Sequence, residues 1–371
     1  MSCGLRESRA IKDMVVNSLN NNVLTPLQKK NRKHIQLWLY SILLLCLAIV
    51  LVGGATRLTG SGLSITEWKP IHGVIPPIGV EQWQEEFLKY QQIAQYKMLN
   101  RDMTLSAFKV IFWWEWVHRF LGRLVGLVAL LGLIWFWATK HFEKNILLQL
   151  IIVPILIAFQ GIIGWWMVAS GIGQSNLTSV SQYRLAFHLI TACFVIIFVT
   201  YLSQGLTEYS EKPANQRVQY FAGWLVILIL IEIYFGALVA GLHAGKVYNT
   251  WPLMDGQFIP DGLLQHNPVW LNLFENPLTV QFVHRFFAYF LFFVAVIHAF
   301  YVQKNIPYSS HSRRAFFICV MIIVQALLGI LTLLHEVPIS FGLIHQSAAL
   351  AVLYFSVTHW RATKGAHHTV K

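Results

Sequence analysis

Eight apolar runs of about 20 residues recur along this chain, and a helix of that length crosses the roughly 30 Å hydrocarbon core of a bilayer. The 371 residues are 56% hydrophobic and only 12% charged, whereas soluble domains average roughly 25% charged residues. Helices satisfy the backbone hydrogen bonds that lipid cannot. The sequence therefore predicts an all-α integral membrane protein with eight transmembrane helices, which begin near Leu37, Lys109, Ile146, Tyr183, Gln219, Thr279, Ala315 and Ser340.

The distribution of lysine and arginine indicates which side of the membrane each loop faces. These residues cluster before the first apolar run, between the second and third, between the sixth and seventh, and after the eighth. Short cytoplasmic loops of membrane proteins carry an excess of positive charge. With eight spans all four clusters fall on one side, so both termini are predicted to be cytoplasmic.

The net charge of +12 is explained by these loops. Nucleic-acid binding needs a basic face on a soluble domain. None is visible, so we expect contacts with membrane lipid and no nucleic-acid partner. Glu7 and Asp13 interrupt an N-terminal stretch with few arginines, which is unusual for a mitochondrial transit peptide. The bacterial inner membrane is therefore favoured over the mitochondrial inner membrane.

The two halves of the chain repeat one another. The phrase Glu115–Phe120 recurs as Gln281–Phe286, and in each copy a histidine and an arginine stand in the first part of an apolar run. The third and seventh runs each contain a glutamine four residues before a glycine, Gln160 with Gly164 and Gln325 with Gly329.

These repeats predict two pseudo-symmetric four-helix bundles, at 35–205 and 206–361. A cytoplasmic segment at 1–34 precedes them and a cytoplasmic tail at 362–371 follows. Four-helix bundles bind cofactors between facing helices.

Four histidines occupy matching places in the repeat, His118 and His188 in the first half and His284 and His345 in the second. All lie early in even-numbered helices, so the topology places them in the outer half of the membrane. Ionisable groups at that depth are costly and usually functional. Zinc sites need about four clustered ligands, whereas heme iron takes two axial ligands from opposite faces of an apolar slot. The pattern therefore favours two heme sites side by side.

Three arginines accompany these histidines. Arg119 and Arg285 each follow one directly, and Arg184 lies one helical turn before another. Arginine pairs with carboxylates in a fork geometry, so these side chains are candidates for contacts with heme propionates. Interfacial arginines also extend to the membrane surface without a ligand, and both interpretations stay open.

The repeated phrases differ at one polar position, Glu115 in the first half and Gln281 in the second. Glu115 lies on the same helix face as the histidine three residues later. A carboxylate can take a proton and an amide cannot, so if one half is a reaction site and the other an electron site, Glu115 marks the first half as the reaction site. The alternative for Glu115 is a carboxylate at the membrane edge that is solvated or paired with Arg119.

A further pair of histidines suggests a rival function. His298 and His359 each follow a candidate ligand by 14 residues, nearly four turns on the same helix face. Membrane cytochromes b stack two hemes in this way, although the first half of the chain lacks the pattern. The rival is a non-catalytic diheme b-type cytochrome that passes electrons to or from quinone.

The eight spans, the two Glu/Gln-x-x-His-Arg phrases and the four histidines together resemble the heme A synthase family, over roughly 35–361. The first external loop has no cysteine pair, so the chain resembles the cysteine-free group of proteobacteria and mitochondria. The resemblance implies an oxidoreductase that converts the C8 methyl group of heme O to a formyl group by successive hydroxylations. The product is heme A for cytochrome c oxidase.

The resemblance also implies roles for the residues. Heme b is the resident cofactor on His284 and His345, and the substrate heme O binds near His118 and His188. Glu115 then accepts protons or stabilises positive charge. Implied partners are heme O, heme A and a heme O synthase, and helix faces rich in small residues permit a homo-oligomer. A heme exporter or chaperone is a third hypothesis, which leaves Glu115 unexplained.

Overall fold

Eight long helices form the body of the protein. The computed structural model describes residues 24–69, 72–173, 175–207 and 212–365. The helices are α1 (Pro26–Leu58), α2 (Leu105–Ala138), α3 (Lys144–Val168), α4 (Gln182–Gly205), α5 (Gln216–Gly241), α6 (Pro277–Asn305), α7 (Ser310–Leu334) and α8 (Ile339–Thr363). All eight are long and apolar enough to cross a membrane. The predicted all-α, eight-span membrane protein is confirmed, and the chain is a multi-pass membrane protein.

The first helix begins earlier than its apolar run. Thr25 caps α1, since its hydroxyl accepts from the backbone N–H of Gln28 and the Gln28 side chain accepts from the backbone N–H of Thr25. The first turns of α1 are polar, so hydrophobicity alone placed the start too late. One of their basic residues, Arg32, donates to both carboxylate oxygens of Glu143 at 2.6 and 2.7 Å. Residues 1–23 and 366–371 lie outside the described part of the chain.

The helices pack as two groups of four. In the first group α1 and α3 each pack against both α2 and α4, and in the second α5 and α7 each pack against both α6 and α8. Helices α2 and α4 are therefore diagonal to each other in one group, and α6 and α8 in the other. This packing fits the predicted pair of bundles. The groups meet where α4 packs against α5 and α8, and where α1 packs against α8.

The buried core runs continuously through both groups and includes Leu39, Ile196, Leu225 and Leu353, all at most 1% exposed. Large apolar side chains such as Leu44, Trp137 and Phe300 lie on the outside. Exposed apolar surface of this kind suits contact with lipid.

Two long loops cover the side of the protein at which α1 and α5 end and α2 and α6 begin. The loop between α1 and α2 contains the short helices Val80–Tyr90 and Ala94–Leu99, and the loop between α5 and α6 contains Asn272–Glu275. Each loop crosses the part of the molecule that carries the candidate histidines.

Candidate functional site

Each candidate histidine packs against a glycine of a neighbouring helix. A Cβ atom on Gly53 of α1 would lie 2.8 Å from Cε1 of His118, closer than real Cβ contacts allow. The equivalent distances are 3.0 Å from Gly164 to His188, 3.2 Å from Gly236 to His284 and 2.8 Å from Gly329 to His345. The same seat for an imidazole therefore occurs four times, twice in each half.

The seats place the histidines in diagonal pairs. His118 lies on α2 and His188 on α4, the diagonal helices of the first group, and His284 and His345 lie on α6 and α8, the diagonal helices of the second. Each pair thus brings two imidazoles from opposite sides of a four-helix group.

The ring edges differ in accessibility. The Nδ1 atoms of His118, His284 and His345 are completely buried, yet the His284 side chain keeps 22% exposure. With Nδ1 buried, Nε2 is the ring nitrogen left to bind an iron, and it is a common iron ligand. Two diagonal imidazoles with buried Nδ1 atoms fit the axial ligand set of a heme, which is the cofactor predicted for each half.

The residue four positions before each glycine faces the Nδ1 edge of the ring. On α3 the Gln160 amide nitrogen lies 3.1 Å from Nδ1 of His188, and on α7 the equivalent Gln325 donates to the backbone carbonyl of His345 at 3.0 Å. These glutamines were noticed in the sequence as part of the repeat. Their structural role is to support the ligand helices.

The equivalent positions on α1 and α5 differ in charge. Ile49 on α1 has a side chain without a polar atom. On α5 the position is Glu232, whose Oε1 lies 2.9 Å from Nδ1 of His284. Glu232 was missed by the sequence analysis, although an acidic residue in the middle of an apolar helix is itself a functional signal.

The carboxylate of Glu115 is occupied by protein donors on both oxygens. Arg119 donates to Oε1 at 2.6 Å, and Oε2 accepts from the Ser64 hydroxyl and the Ile65 backbone N–H, both at 2.8 Å. Arg119 also donates to the backbone carbonyls of Ile65 and Glu67. Glu115 is 2% exposed, and the pair fastens the first external loop to α2.

Gln281 and Arg285 fasten the other external loop in the same way. Arg285 donates to the backbone carbonyls of Tyr248 and Thr250 at 2.9 and 2.8 Å. These acceptors stand 183 residues after the two acceptors of Arg119 (from 65 to 248 and from 67 to 250). The Gln281 amide donates to the carbonyls of Ala244 and Tyr248, and its oxygen accepts from Arg285.

The Glu115/Gln281 difference therefore matches what each loop presents. The first loop presents two hydrogen-bond donors, the Ser64 hydroxyl and the Ile65 N–H, and the carboxylate accepts a hydrogen bond from each. The second loop offers the carbonyls of Ala244 and Tyr248, which need a donor. The alternative considered for Glu115, pairing with Arg119, is what the structure shows.

A cavity lies beside each loop fastening. One of about 190 Å³ is lined by Trp68 and Arg119, and one of about 220 Å³ by Trp251 and Arg285. Both arginines thus border open space while they hold the loops. Their contact with heme propionates stays a prediction.

Two further polar groups lie near the external surface. Hydrogen bonds from Lys69 and Lys89 lower the pKa of the Glu67 carboxyl, so at the edge of the first cavity Glu67 is ionised and paired with both lysines at neutral pH. Arg184 donates to the backbone carbonyl of Trp166 at 2.7 Å and lies over its ring. This contact resembles interfacial anchoring, and propionate binding by Arg184 stays a prediction.

The inner histidines of the rival function contact each other directly. Nε2 of His298 lies 3.0 Å from Nε2 of His359, and both side chains are at most 1% exposed. A metal held between two imidazoles needs about 2 Å to each nitrogen, so 3.0 Å leaves no room for a ligated iron. This geometry favours a hydrogen-bonded pair over a second heme.

Comparisons with known proteins identify the family of the chain. The family model described as COX15-CtaA, cytochrome oxidase assembly protein, matches residues 36–357. The chain is 89% identical to a Bartonella henselae protein named heme A synthase, over 96% of this chain and 100% of that protein. It is 54% identical to a Brucella anthropi protein of the same name, over 92% of this chain and 95% of that protein.

Proposed function

Since the chain belongs to the COX15-CtaA family of cytochrome oxidase assembly proteins, we propose that it is a heme A synthase, an oxidoreductase that converts the C8 methyl group of heme O to a formyl group. The observation that carries the proposal is the diagonal pair of glycine-seated histidines in each half. Two such pairs give one site for a substrate heme and one for a resident heme.

We assign the substrate to the first half, 35–205, and heme b to the second, 206–361. His118 and His188 hold the iron of heme O, and His284 and His345 hold the iron of heme b. When bound there, heme b supplies a one-electron carrier. Glycine seats and buried Nδ1 atoms fix the imidazole planes before either heme arrives.

The overall reaction sets what the first half must stabilise. Two successive hydroxylations of the methyl group give a geminal diol, and loss of water leaves the aldehyde. With water as the oxygen source, one methyl group and one water give one formyl group, four protons and four electrons. Positive charge develops at the methyl carbon whenever electrons leave before protons do.

The contacts of Glu115 favour the electrostatic one of its two predicted roles. Four hydrogen bonds from Arg119, Ser64 and Ile65 occupy both oxygens of Glu115, so a proton from the substrate would have to displace one of these donors. Hydrogen bonds to a charged group contribute about 1.5–3 kcal/mol each. Glu115 therefore acts in two ways. It holds the first external loop beside the substrate site, and its own carboxylate places a negative charge there.

The cellular setting follows from the same proposal. The protein lies in a bacterial inner membrane with both termini in the cytoplasm. It receives heme O from a heme O synthase and supplies heme A to cytochrome c oxidase. The histidines then lie near the external face, beneath the two fastened loops.

Heme extraction tests this proposal. The chain is expressed with a heme O synthase in cells that make no heme A, and the hemes are separated by chromatography. We expect heme A or its hydroxylated precursor. Heme B and heme O alone, with the protein folded and loaded with heme, would favour electron transfer or heme handling without oxidation.

A further inference from the structure

Glu232 is an unusual residue for its place in the fold. Among the described residues of the eight helices, the only acidic side chains are Glu115 and Glu232. Glu115 has Arg119 as its counter-ion, whereas the ionisable partner of Glu232 is His284. Its side chain is 15% exposed. Carboxylates in apolar helices are costly, so one that lacks an arginine or lysine needs a function.

The carboxylate is aimed at the ring nitrogen opposite the predicted iron ligand. Oε1 of Glu232 lies 2.9 Å from Nδ1 of His284. Oε2 is buried and has no hydrogen-bond partner within the described chain. The two atoms are within hydrogen-bond distance, and Nδ1 of His284 has no other hydrogen-bond partner among the described residues.

One helix supplies two contacts to the same imidazole. Gly236, one turn after Glu232 on α5, forms the seat for Cε1 of His284. The ring is thus held on one side by close backbone packing and on another by a negative charge. Rotation of the ring breaks the contact with the carboxylate or clashes with the helix.

The first half has the same seat without the charge. Ile49 and Gly53 on α1 have the spacing of Glu232 and Gly236 on α5, and both glycines pack against a candidate ligand. At Ile49 the side chain carries no polar atom. The two halves therefore differ directly behind one iron ligand, in addition to the Glu115/Gln281 difference at the loops.

We infer that Glu232 is a positioning residue of the second heme site, which hydrogen-bonds Nδ1 of His284 and stabilises the oxidised form of the bound heme. A carboxylate behind a ligating histidine fixes the ring orientation and raises the basicity of the ligand. Ferric heme carries one more positive charge than ferrous heme, so a nearby anion and a more basic ligand both favour it. Hydrogen bonding to the groups that ligate the iron is an established means of setting the potential of a heme.

The consequence is a difference in potential between the two sites. The heme on His284 and His345 releases its electron more readily than a heme on His118 and His188, where the equivalent side chain is Ile49. This inference rests on the proposed ligation of heme b by His284.

The experiment uses the full chain, purified in detergent from cells without a heme O synthase, so that heme b is the heme present. The midpoint reduction potential is measured by optical titration, and the ferric signal by electron paramagnetic resonance. Glu232→Ile reproduces the residue of the first half, and Glu232→Gln keeps the shape but removes the charge. Glu115→Gln is the matched control, since it makes the same chemical change in the other half.

We expect Glu232→Ile to raise the ratio of reduced to oxidised heme at a fixed potential about tenfold, which for one electron is a midpoint about 59 mV higher. Glu232→Gln should fall between this variant and the unmodified chain. Glu115→Gln should leave the midpoint and the ferric signal unchanged.

Two results would overturn the inference. One is a midpoint and ferric signal in Glu232→Ile equal to those of the unmodified chain. The other is loss of heme from both Glu232 variants while they stay folded, because the carboxylate would then be needed for binding. Failure of the proposed function looks different, since His284→Ala would then retain the heme spectrum or the unmodified chain would bind no heme.

Discussion

The two halves of this protein share a scaffold and differ in where they place negative charge. Both pack their candidate histidines against glycines, and both fasten a long loop through an arginine on a helix that carries a candidate ligand. The first half puts a carboxylate at the loop, Glu115, and the second puts one behind a candidate ligand, Glu232. The geometry is thus repeated while the electrostatics are specific to each site.

We interpret the different positions of the two carboxylates as the basis for the two roles proposed for this duplicated bundle. In the first half the charge of Glu115 is balanced by Arg119 and held where the substrate heme is proposed to react. In the second half the uncharged Gln281 makes the loop contact, and the carboxylate is that of Glu232, which lies beside the ring of His284. Each position can be exchanged between halves, which gives direct tests.

The largest effect is expected from Glu115→Gln. An amide cannot accept from Arg119, Ser64 and Ile65 at once, so at least one buried donor loses its partner, at a cost of about 1–3 kcal/mol. We expect heme A production to fall at least about tenfold while heme b content stays unchanged. Chromatography of extracted hemes measures both. Full heme A production by this variant would remove Glu115 from the account.

The mirror variant Gln281→Glu tests the same difference in the second half. It places a carboxylate against the carbonyls of Ala244 and Tyr248, which offer no proton. We expect loss of heme b from the purified protein, by about half or more, since the loop over the second site loosens. Normal heme b content would show that the loop contacts tolerate either residue.

A smaller effect is expected from filling a glycine seat. In Gly164→Ala the new Cβ meets Cε1 of His188 at 3.0 Å, whereas Gly161 on the same helix has open space around it. Alanine favours a helix interior over glycine by roughly 0.5–1 kcal/mol, so a loss must come from the contact. We expect heme A production to fall severalfold in Gly164→Ala only. Equal activity of the two variants would contradict the seat.

The smallest effect on heme is expected from His298→Ala. The partner His359 then loses a buried hydrogen bond, which costs about 1–3 kcal/mol, so the thermal unfolding temperature should fall. Heme content and heme A production should not change, because the two inner imidazoles contact each other and leave no space for an iron between them. Loss of one heme per chain in the pyridine hemochrome assay would instead revive the diheme cytochrome.

The sequence was sufficient for the architecture because the relevant signals are local. Apolar runs gave eight spans, and the spacing of histidines, glycines and glutamines gave the repeat that the packing fits. The apolar run predicted a start near Leu37, whereas α1 begins at Pro26. Its polar first turns are stabilised by a cap and an ion pair, which hydrophobicity does not reveal.

The meaning of the polar differences depended on tertiary contacts. The loop atoms that face Glu115 and Gln281 come from segments distant in sequence, and their placement depends on the backbone conformation of each loop. The spacing of residues in the sequence does not tell whether those atoms are donors or acceptors. Glu232 was visible as an acid in an apolar run, yet its partner His284 lies on another helix. Only the fold places the two together.

The central claim is that one half transforms a heme and the other retains one. The most direct test compares His118→Ala with His284→Ala, each expressed with a heme O synthase, purified and analysed for bound heme and for heme A. We predict that His118→Ala keeps heme b and makes no heme A, whereas His284→Ala loses heme b. Loss of heme b from His118→Ala with its retention in His284→Ala would contradict the account and reverse the roles of the halves.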